Sequence, residues 1–448
     1  YDSYYLANPY LEMLAKGEAD TKTLDDKARR VLRLIFRTSM NTCKPAGSMC
    51  SEAHYAAARR IGGEGIVLLK NDKGLLPLPL SAGKPVRMLV VGENALKMMT
   101  VGGGSSSLKV QREVSPLDGL RAAAPEGMTV DYARGYVGDV TGEYNGVTSG
   151  QDLSESRSAS ELVAEAVAKA RQADYVIFVG GLNKSAGQDC EDADRESLSL
   201  PYGQDEVIVA LAKANPNLVV VNVSGNAVAM PWVKQVPAIL QAWFLGSEAG
   251  NSIADVIFGK VNPSGKLPMT FPVKLEDVAA HAVGEYPGVK RQDKDIWDEK
   301  YSEGILVGYR WHDTKKIKPL FPFGHGLSYT TFAYGKPRAD RQGMTAGETL
   351  TITVPVTNTG DREGAEIVQL YVTDVKAPLQ RPAKELKGFR KVLLAPGETR
   401  EVTFTITPDD LAYFDADAHD WMTHPGKYQA HVASSSADIA STIPFTFR

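Results

Sequence analysis

The stretch Asp174–Val179 reads DYVIFV and runs directly into Gly180–Pro201, GGLNKSAGQDCEDADRESLSLP. After its leading aspartate the first part is an unbroken β-branched and aromatic run. With no alternation to leave one face wet, it predicts a strand covered on both faces. Three more runs share the texture: Arg87–Val91 (RMLVV) before Gly92, Leu218–Val223 (LVVVNV) before Ser224 and Gly225, and Ala238–Phe244 (AILQAWF) before Gly246. Helical patterns lie at Ala159–Gln172, ahead of DYVIFV, and at Gln204–Ala214, behind it. Alternation of strand and helix predicts an α/β class: a mostly parallel sheet with helices on both faces, an α/β sandwich over about residues 41–335. Ligands of such sheets gather beyond the carboxyl ends of the strands, so the loops that follow them matter most.

In the loop after DYVIFV, Asp189, Glu191, Asp192, Asp194 and Glu196 put five carboxylates within eight residues. A solvated acidic loop is the commonest use of such a run. A calcium loop is a second reading, but the glycine and distal glutamate of an EF-hand are lacking. The third is a proton-transfer carboxylate at the ligand end of the sheet. Crowded like charges raise the pKa of whichever carboxyl must stay protonated, as a general acid requires. Another loop, Gly102–Ser107 (GGGSSS), begins about eleven residues after RMLVV. It is neither GxGxxG nor a GK[ST] phosphate loop, and reads as backbone lying close to a ligand or a neighbouring domain.

Beyond Phe332 the pattern changes to period two. Leu350–Val356, Ala365–Val372, Glu401–Ile406 and Tyr428–Val432 alternate apolar and polar residues, with turn clusters at Asn358–Gly360, Pro396–Gly397 and Pro425–Gly426. About seven short strands over residues 336–448 predict an all-β, fibronectin type III-like sandwich, with Tyr371, Phe389 and Phe404 in its core. Residues 1–40 do not read as a domain start. Leu24, Ala28, Val31, Leu32 and Ile35 form one stripe of an amphipathic helix that Thr23 can cap, and a shorter helix about Tyr10–Leu14 ends at Gly17. Two helices and no strand cannot bury such a stripe alone, so it must pack on the next domain or on material absent from this chain, the second being the expectation here.

The chain has 448 residues, which suggests about three domains. Its 50 Lys+Arg against 54 Asp+Glu leave no single-sign field for a nucleic-acid backbone or an anionic membrane surface, so neither is expected as a partner. No apolar run approaches the ~20 residues of a membrane span, and a soluble chain is expected. The seven histidines are scattered, without HExxH or CxxC, and no metal site or organic cofactor is expected. Cys43 and Cys50 are spaced for a small disulfide loop, though free thiols fit equally well; Cys190 stands alone.

Taken together, GGEGIVLLKN (Gly62–Asn71), GGGSSS, the acidic loop, LGSEAGNSIADVIFGKVNPSGKLPMTFP (Leu245–Pro272), YSEGILVGYR (Tyr301–Arg310) and FPFGHGLSYTTF (Phe321–Phe332) resemble the C-terminal α/β sandwich of glycoside hydrolase family 3. The tail, with VTNTGDREGAEIVQLYV and KELKGFRKVLLAPGE, resembles the fibronectin type III-like domain that ends many members. The likeness is nearest to the bacterial β-glucosidase branch. It implies a retaining mechanism with two carboxylates: an aspartate nucleophile from a (β/α) barrel and a glutamate acid/base from the α/β domain. It implies that residues 1–40 are the last helices of that barrel, whose remainder, with the nucleophile, lies outside this sequence. The family's E-G-x-D-R signature falls on Glu191–Arg195. The resemblance therefore implies Glu191 as the acid/base, Asp194 and Arg195 as loop-shaping residues that pair with each other or with the loop backbone, and Ser105 and Ser106 on the substrate-binding rim. Asp192 stands where glycine is common, and its charge is expected to raise the pKa of Glu191. The expected partners are a β-linked oligosaccharide and the missing barrel, with room left for a homo-oligomer. A β-xylosidase or α-arabinofuranosidase, or a non-catalytic assembly or carbohydrate-binding fragment, are the alternatives. A periplasmic or secreted location is a further expectation from the likeness.

Overall fold

The computed structural model describes residues 7–40, 47–79, 85–100, 105, 108, 110–138, 151–185, 187–191, 194–292 and 296–448. They fall into two units, one reaching to His54 and the other starting at Tyr55. In the first unit, α1 (Asn8–Lys16) closes on Gly17, whose φ of 71° turns the chain so that the N–H groups of Gly17 and Glu18 donate to the carbonyls of Leu14 and Met13. Helix α2 (Lys22–Thr38) starts two residues earlier than expected, so Thr23 lies inside it and makes no cap. The predicted stripe is present, and Leu24, Val31, Leu32 and Ile35 are all exposed.

The division falls within the first turn of α3 (Glu52–Gly65), and the second unit continues into a six-stranded sheet. Its strands are β1 (Val67–Asn71), β2 (Val86–Val91), β3 (Met128–Ala133), β4 (Tyr175–Gly181), β5 (Leu218–Val223) and β6 (Ala238–Gln241). They lie in the order β1-β6-β5-β4-β2-β3, and all run parallel except β1. Four of the six coincide with the continuous apolar runs; β1 and β3 were not expected. Strand β3 occupies an edge, and its residues alternate between exposed and half-buried, so no continuous run marks it. The covering helices are α4 (Pro116–Ala123), α5 (Ala159–Ala170), α6 (Gln204–Ala214) and α7 (Ala249–Ile257). Helix α5 begins with a capping box: Ser158 accepts from the N–H of Glu161, and Glu161 accepts from the N–H of Ser158.

Alternate residues of each central strand feed two separate cores. Val176, Phe178, Val220 and Ile239 pack toward α5 and α6 with Ala166, Val207 and Leu211. Ile177, Val179, Val221 and Leu240 pack toward α4 and α7 with Leu117, Ile253 and Val256. This is why the runs show no period-two alternation: both pleat faces are dry.

After short strands β7 (Val289–Lys290) and β8 (Trp297–Asp298), the C-terminal part forms a sandwich. One sheet holds β9 (Phe332–Tyr334), β10 (Arg338–Ala339), β12 (Leu350–Asn358) and β15 (Thr399–Ile406); the other holds β11 (Gly343–Met344), β13 (Gly364–Asp374), β14 (Glu385–Leu394), β18 (Gly426–Ala433) and β19 (Ile439–Phe447). A hairpin of β16 (Tyr413–Asp415) and β17 (Asp420–Met422) stands apart. Tyr371 and Phe404 are buried as expected, but Phe389 is 61% exposed. It sits on edge strand β14, between the inward Val392 and Leu394 pattern and solvent, so the core assignment for it is wrong.

Candidate active site

The sheet order reverses direction between β2 and β4, neighbours in space although β3 intervenes in sequence. The loops after β2 and β4 diverge at that point and leave the crevice in which open α/β sheets take ligands. The acidic loop is the one after β4. Gly92, after β2, takes φ 120° and ψ 145°, a conformation open essentially to glycine alone, which lets its backbone lie against Val179 of β4. Nearby, Asn94 Nδ2 donates to the carbonyl of Leu182 at 3.0 Å.

The first half of the acidic loop is buried and held from several sides. Gly181 donates its N–H to Gln204 Oε1 and accepts from Gln204 Nε2 at its carbonyl, each at 2.8 Å. Asn183 donates its N–H to Gln188 Oε1 at 2.8 Å, and Gln188 Nε2 donates to the Tyr202 hydroxyl at 2.6 Å. Asp189 then accepts from the N–H of Gly225 at 2.6 Å and from Asn226 Nδ2 at 2.9 Å. Past this anchor the chain turns outward, and Glu191 is exposed.

The structure brings two of the expected residues together: the backbone N–H of Ser105 donates to Glu191 Oε2 at 2.6 Å. Ser106, Asp192 and the rest of the Gly102–Ser107 turn lie outside the described residues. Asp194 and Arg195, expected to pair with each other or with the loop backbone, take their partners from outside the loop instead. Asp194 accepts from the hydroxyl of Tyr286, whose pKa is thereby pushed up to about 12. Arg195 donates to Asn226 Oδ1 and, at 2.7 Å, to the carbonyl of Ala227. Cys190 is a half-buried free thiol and Cys50 an exposed one; the Cys43 half of the expected bridge lies outside the described residues.

The electrostatics also depart from expectation. Hydrogen bonding from Ser105, its N–H first and its hydroxyl second, holds the Glu191 carboxyl below the ordinary carboxylate range. Asp189 is the carboxyl that moves up, because it is buried; Gly225, Arg195 and Lys184 all pull the other way. A spatial partner decides the Glu191 shift and burial decides that of Asp189; crowding along the sequence decides neither. Ser105→Pro removes the donor N–H, and the Glu191 carboxyl is expected to titrate at higher pH in a side-chain carbon NMR titration, with Ser105→Ala recovering only part of the shift. The contact favours the ionised form, so it holds the loop above the ordinary carboxylate pKa and is lost as pH falls through the lower folded value. A Ser105→Pro midpoint equal to that of the parent chain would dismiss this contact.

Sequence reasoning passed over Asn226 and Tyr286. Asn226 sits in an ordinary turn sequence, Ser224–Ala227, and Tyr286 lies 92 residues from its partner, so no local pattern marks either. Among the described residues no group of three or more His, Cys, Asp or Glu is placed to hold a metal ion, and no helix is long and apolar enough to cross a membrane.

Residues 66–329, which carry the six-stranded sheet and this loop, match the Glycosyl hydrolase family 3 C-terminal domain, and residues 366–436 match a fibronectin type III-like domain. Over its whole length the chain is 50% identical to the β-glucosidase BoGH3A of Bacteroides ovatus, of which it covers 59%. It is 35% identical over 95% of its length to an exo-α-(1→6)-L-arabinopyranosidase of Bifidobacterium breve, of which it covers 53%. Among solved structures, the GH3 β-glucosidase of Bifidobacterium adolescentis superposes with a TM-score of 0.83 at 35% identity, over 99% of this chain and 60% of that one. The chain thus spans little more than half the length of these relatives. The sheet, the placement of the loop after β4 and the matched 66–329 segment together mean that the chain belongs to glycosyl hydrolase family 3.

Proposed function

We propose that this chain supplies the general acid/base half of a retaining, exo-acting β-glycosidase, most simply a β-glucosidase releasing terminal glucose from β-linked oligosaccharides. The observation that carries the reading is the exposed Glu191 carboxyl, presented from an anchored loop at the switch point of the sheet. In this mechanism the protonated Glu191 gives its proton to the glycosidic oxygen while an aspartate of a barrel domain attacks the anomeric carbon. Glu191 then takes a proton from the water that releases the glycosyl-enzyme. The two carboxyls of a retaining pair stand about 5–5.5 Å apart. A second carboxylate at that range disfavours ionisation of Glu191 and offsets the pull of Ser105. Asp194 and Arg195 shape the loop in this reading, Ser105 and Ser106 form its rim, and the exposed stripe of α2 belongs to the end of the barrel. Self-association is compatible with it.

The arabinopyranosidase relatives support a pentoside substrate as the second reading. The experiment is a panel of aryl β-glucosides, β-xylosides and α-L-arabinosides, assayed with this chain alone and with the chain joined to its barrel. The expected result is no turnover by the chain alone, turnover by the joined protein, and preference for the β-glucoside. Full turnover by the isolated chain, or a pentoside preference, would overturn the respective half of the proposal. No turnover in the joined protein would favour a non-catalytic module. Export to the periplasm or beyond the cell belongs to the same proposal; recovery of the protein in the cytoplasmic fraction would refute it.

A further inference from the structure

Asp189 and Arg195 stand two residues before and four residues after Glu191, and one side chain holds both. Asn226 donates from Nδ2 to Asp189 Oδ1 at 2.9 Å, and its Oδ1 accepts from Arg195 Nη2. The backbone on either side reinforces the grip, with the Gly225 N–H on Asp189 Oδ2 at 2.6 Å and the Ala227 carbonyl on Arg195 at 2.7 Å. We infer that Asn226 is a positioning residue for the acid: one amide that clamps both stems of the Glu191 loop onto the turn after β5, and so sets where the carboxyl reaches. The inference rests on the reading of Glu191 as the acid/base.

Two features make this more than an incidental contact. The amide has only one workable orientation, because a flip would turn its carbonyl toward the Asp189 carboxylate and its N–H groups toward a guanidinium. Both bonds are charge-assisted, the stronger class. The turn itself is also fixed from beneath. Asn222, Ser224 and Gln241 are fully buried at the ends of β5 and β6. Asn222 Nδ2 donates to Gln241 Oε1 at 2.6 Å and to Ser224 Oγ at 2.9 Å, Gln241 Nε2 donates to the Ser224 carbonyl at 2.9 Å, and Ser224 Oγ donates to the Asn226 carbonyl at 2.8 Å. Three polar side chains in a dry sheet are costly unless hydrogen-bonded, and bonded to one another and to the backbone they are rigid. What they hold is the turn that carries Asn226.

The test uses the joined enzyme and aryl β-glucosides that differ in leaving group. A misplaced acid hurts only where the departing oxygen needs a proton. Asn226→Ala is therefore expected to lower kcat/KM about 10–100-fold on a phenyl glucoside, within the ~10²-fold penalty of a 1 Å misplacement. On the 2,4-dinitrophenyl glucoside, whose leaving group departs unaided, kcat/KM is expected to stay within about twofold. Asn226→Asp, nearly isosteric, serves if the alanine variant does not fold; it loses the Nδ2 donor and sets a like charge against Asp189, so the same selective loss is expected. Glu191→Gln is the control. If it shows the leaving-group selectivity and the Asn226 variants lose both substrates equally, Asn226 is merely structural and the inference fails. If Glu191→Gln itself shows no selectivity, the acid/base reading falls and the inference with it.

Discussion

Glu191→Gln in the joined enzyme is expected to lower kcat/KM on cellobiose or phenyl β-glucoside by about 10²–10⁴-fold, the usual worth of general acid–base catalysis. Glutamine keeps the size of the side chain and can still accept from the Ser105 N–H, so the loop should hold its shape while the transferable proton is gone. The loss belongs in kcat more than in KM, since proton transfer is made in the transition state. Glu191→Ala gives a second signature. Azide entering the vacated space needs no base, so it should accelerate turnover of an activated substrate and yield a β-glucosyl azide of retained configuration. The measurements are steady-state kinetics and product analysis. Activity within tenfold of the parent, without azide rescue, would show that some other group carries the proton.

The second large effect concerns the fold. Gly92→Ala is expected to destabilise the six-stranded sheet by roughly 2–6 kcal/mol, from about 1–3 kcal/mol of backbone strain and a similar overpacking penalty. At φ 120° a side chain is strained whatever the space, and here there is no space. A Cβ at Gly92 would lie 2.0 Å from the carbonyl oxygen of Val179 and 2.9 Å from its carbon. Both are backbone atoms of β4, so relief requires β2 and β4 to separate along their Val91–Phe178 pairing. Against a typical total of 5–15 kcal/mol, that is a substantial fraction. Gly187→Ala is the comparison. It also has positive φ, 73°, but no atom within 4 Å of the added Cβ, so its penalty should be strain alone, about 1–2 kcal/mol. Urea denaturation of both variants checks the difference; equal midpoints would show that the close approach at Gly92 is relieved at little cost.

How much of this was written in the sequence depended on whether a signal was local. Strands β2, β4, β5 and β6 were legible because both their faces are dry, and unbroken apolar runs follow directly from that. Strand β3, MTVDYA, carries only the period-two alternation of a half-buried edge, with no unbroken run to mark it. Phe389 was misassigned for the related reason that alternation fixes which residues share a face but not which face is inward. Glu191 was singled out only by carrying a family signature onto it; five carboxylates within eight residues favour no single one. Its titration was misread because the neighbours that count are spatial. The Ser105 donor lies 86 residues away, and Asn226 lies 37 residues from Asp189.

The buried trio Asn222, Ser224 and Gln241 has a consequence for how this part of the chain can drift over generations. Swapping any one of them for an aliphatic residue strands the hydrogen-bonding atoms of the other two where no solvent arrives. A lineage can then move away from this set only by exchanging its members in step, whereas the exposed Glu196 nearby is free to vary alone.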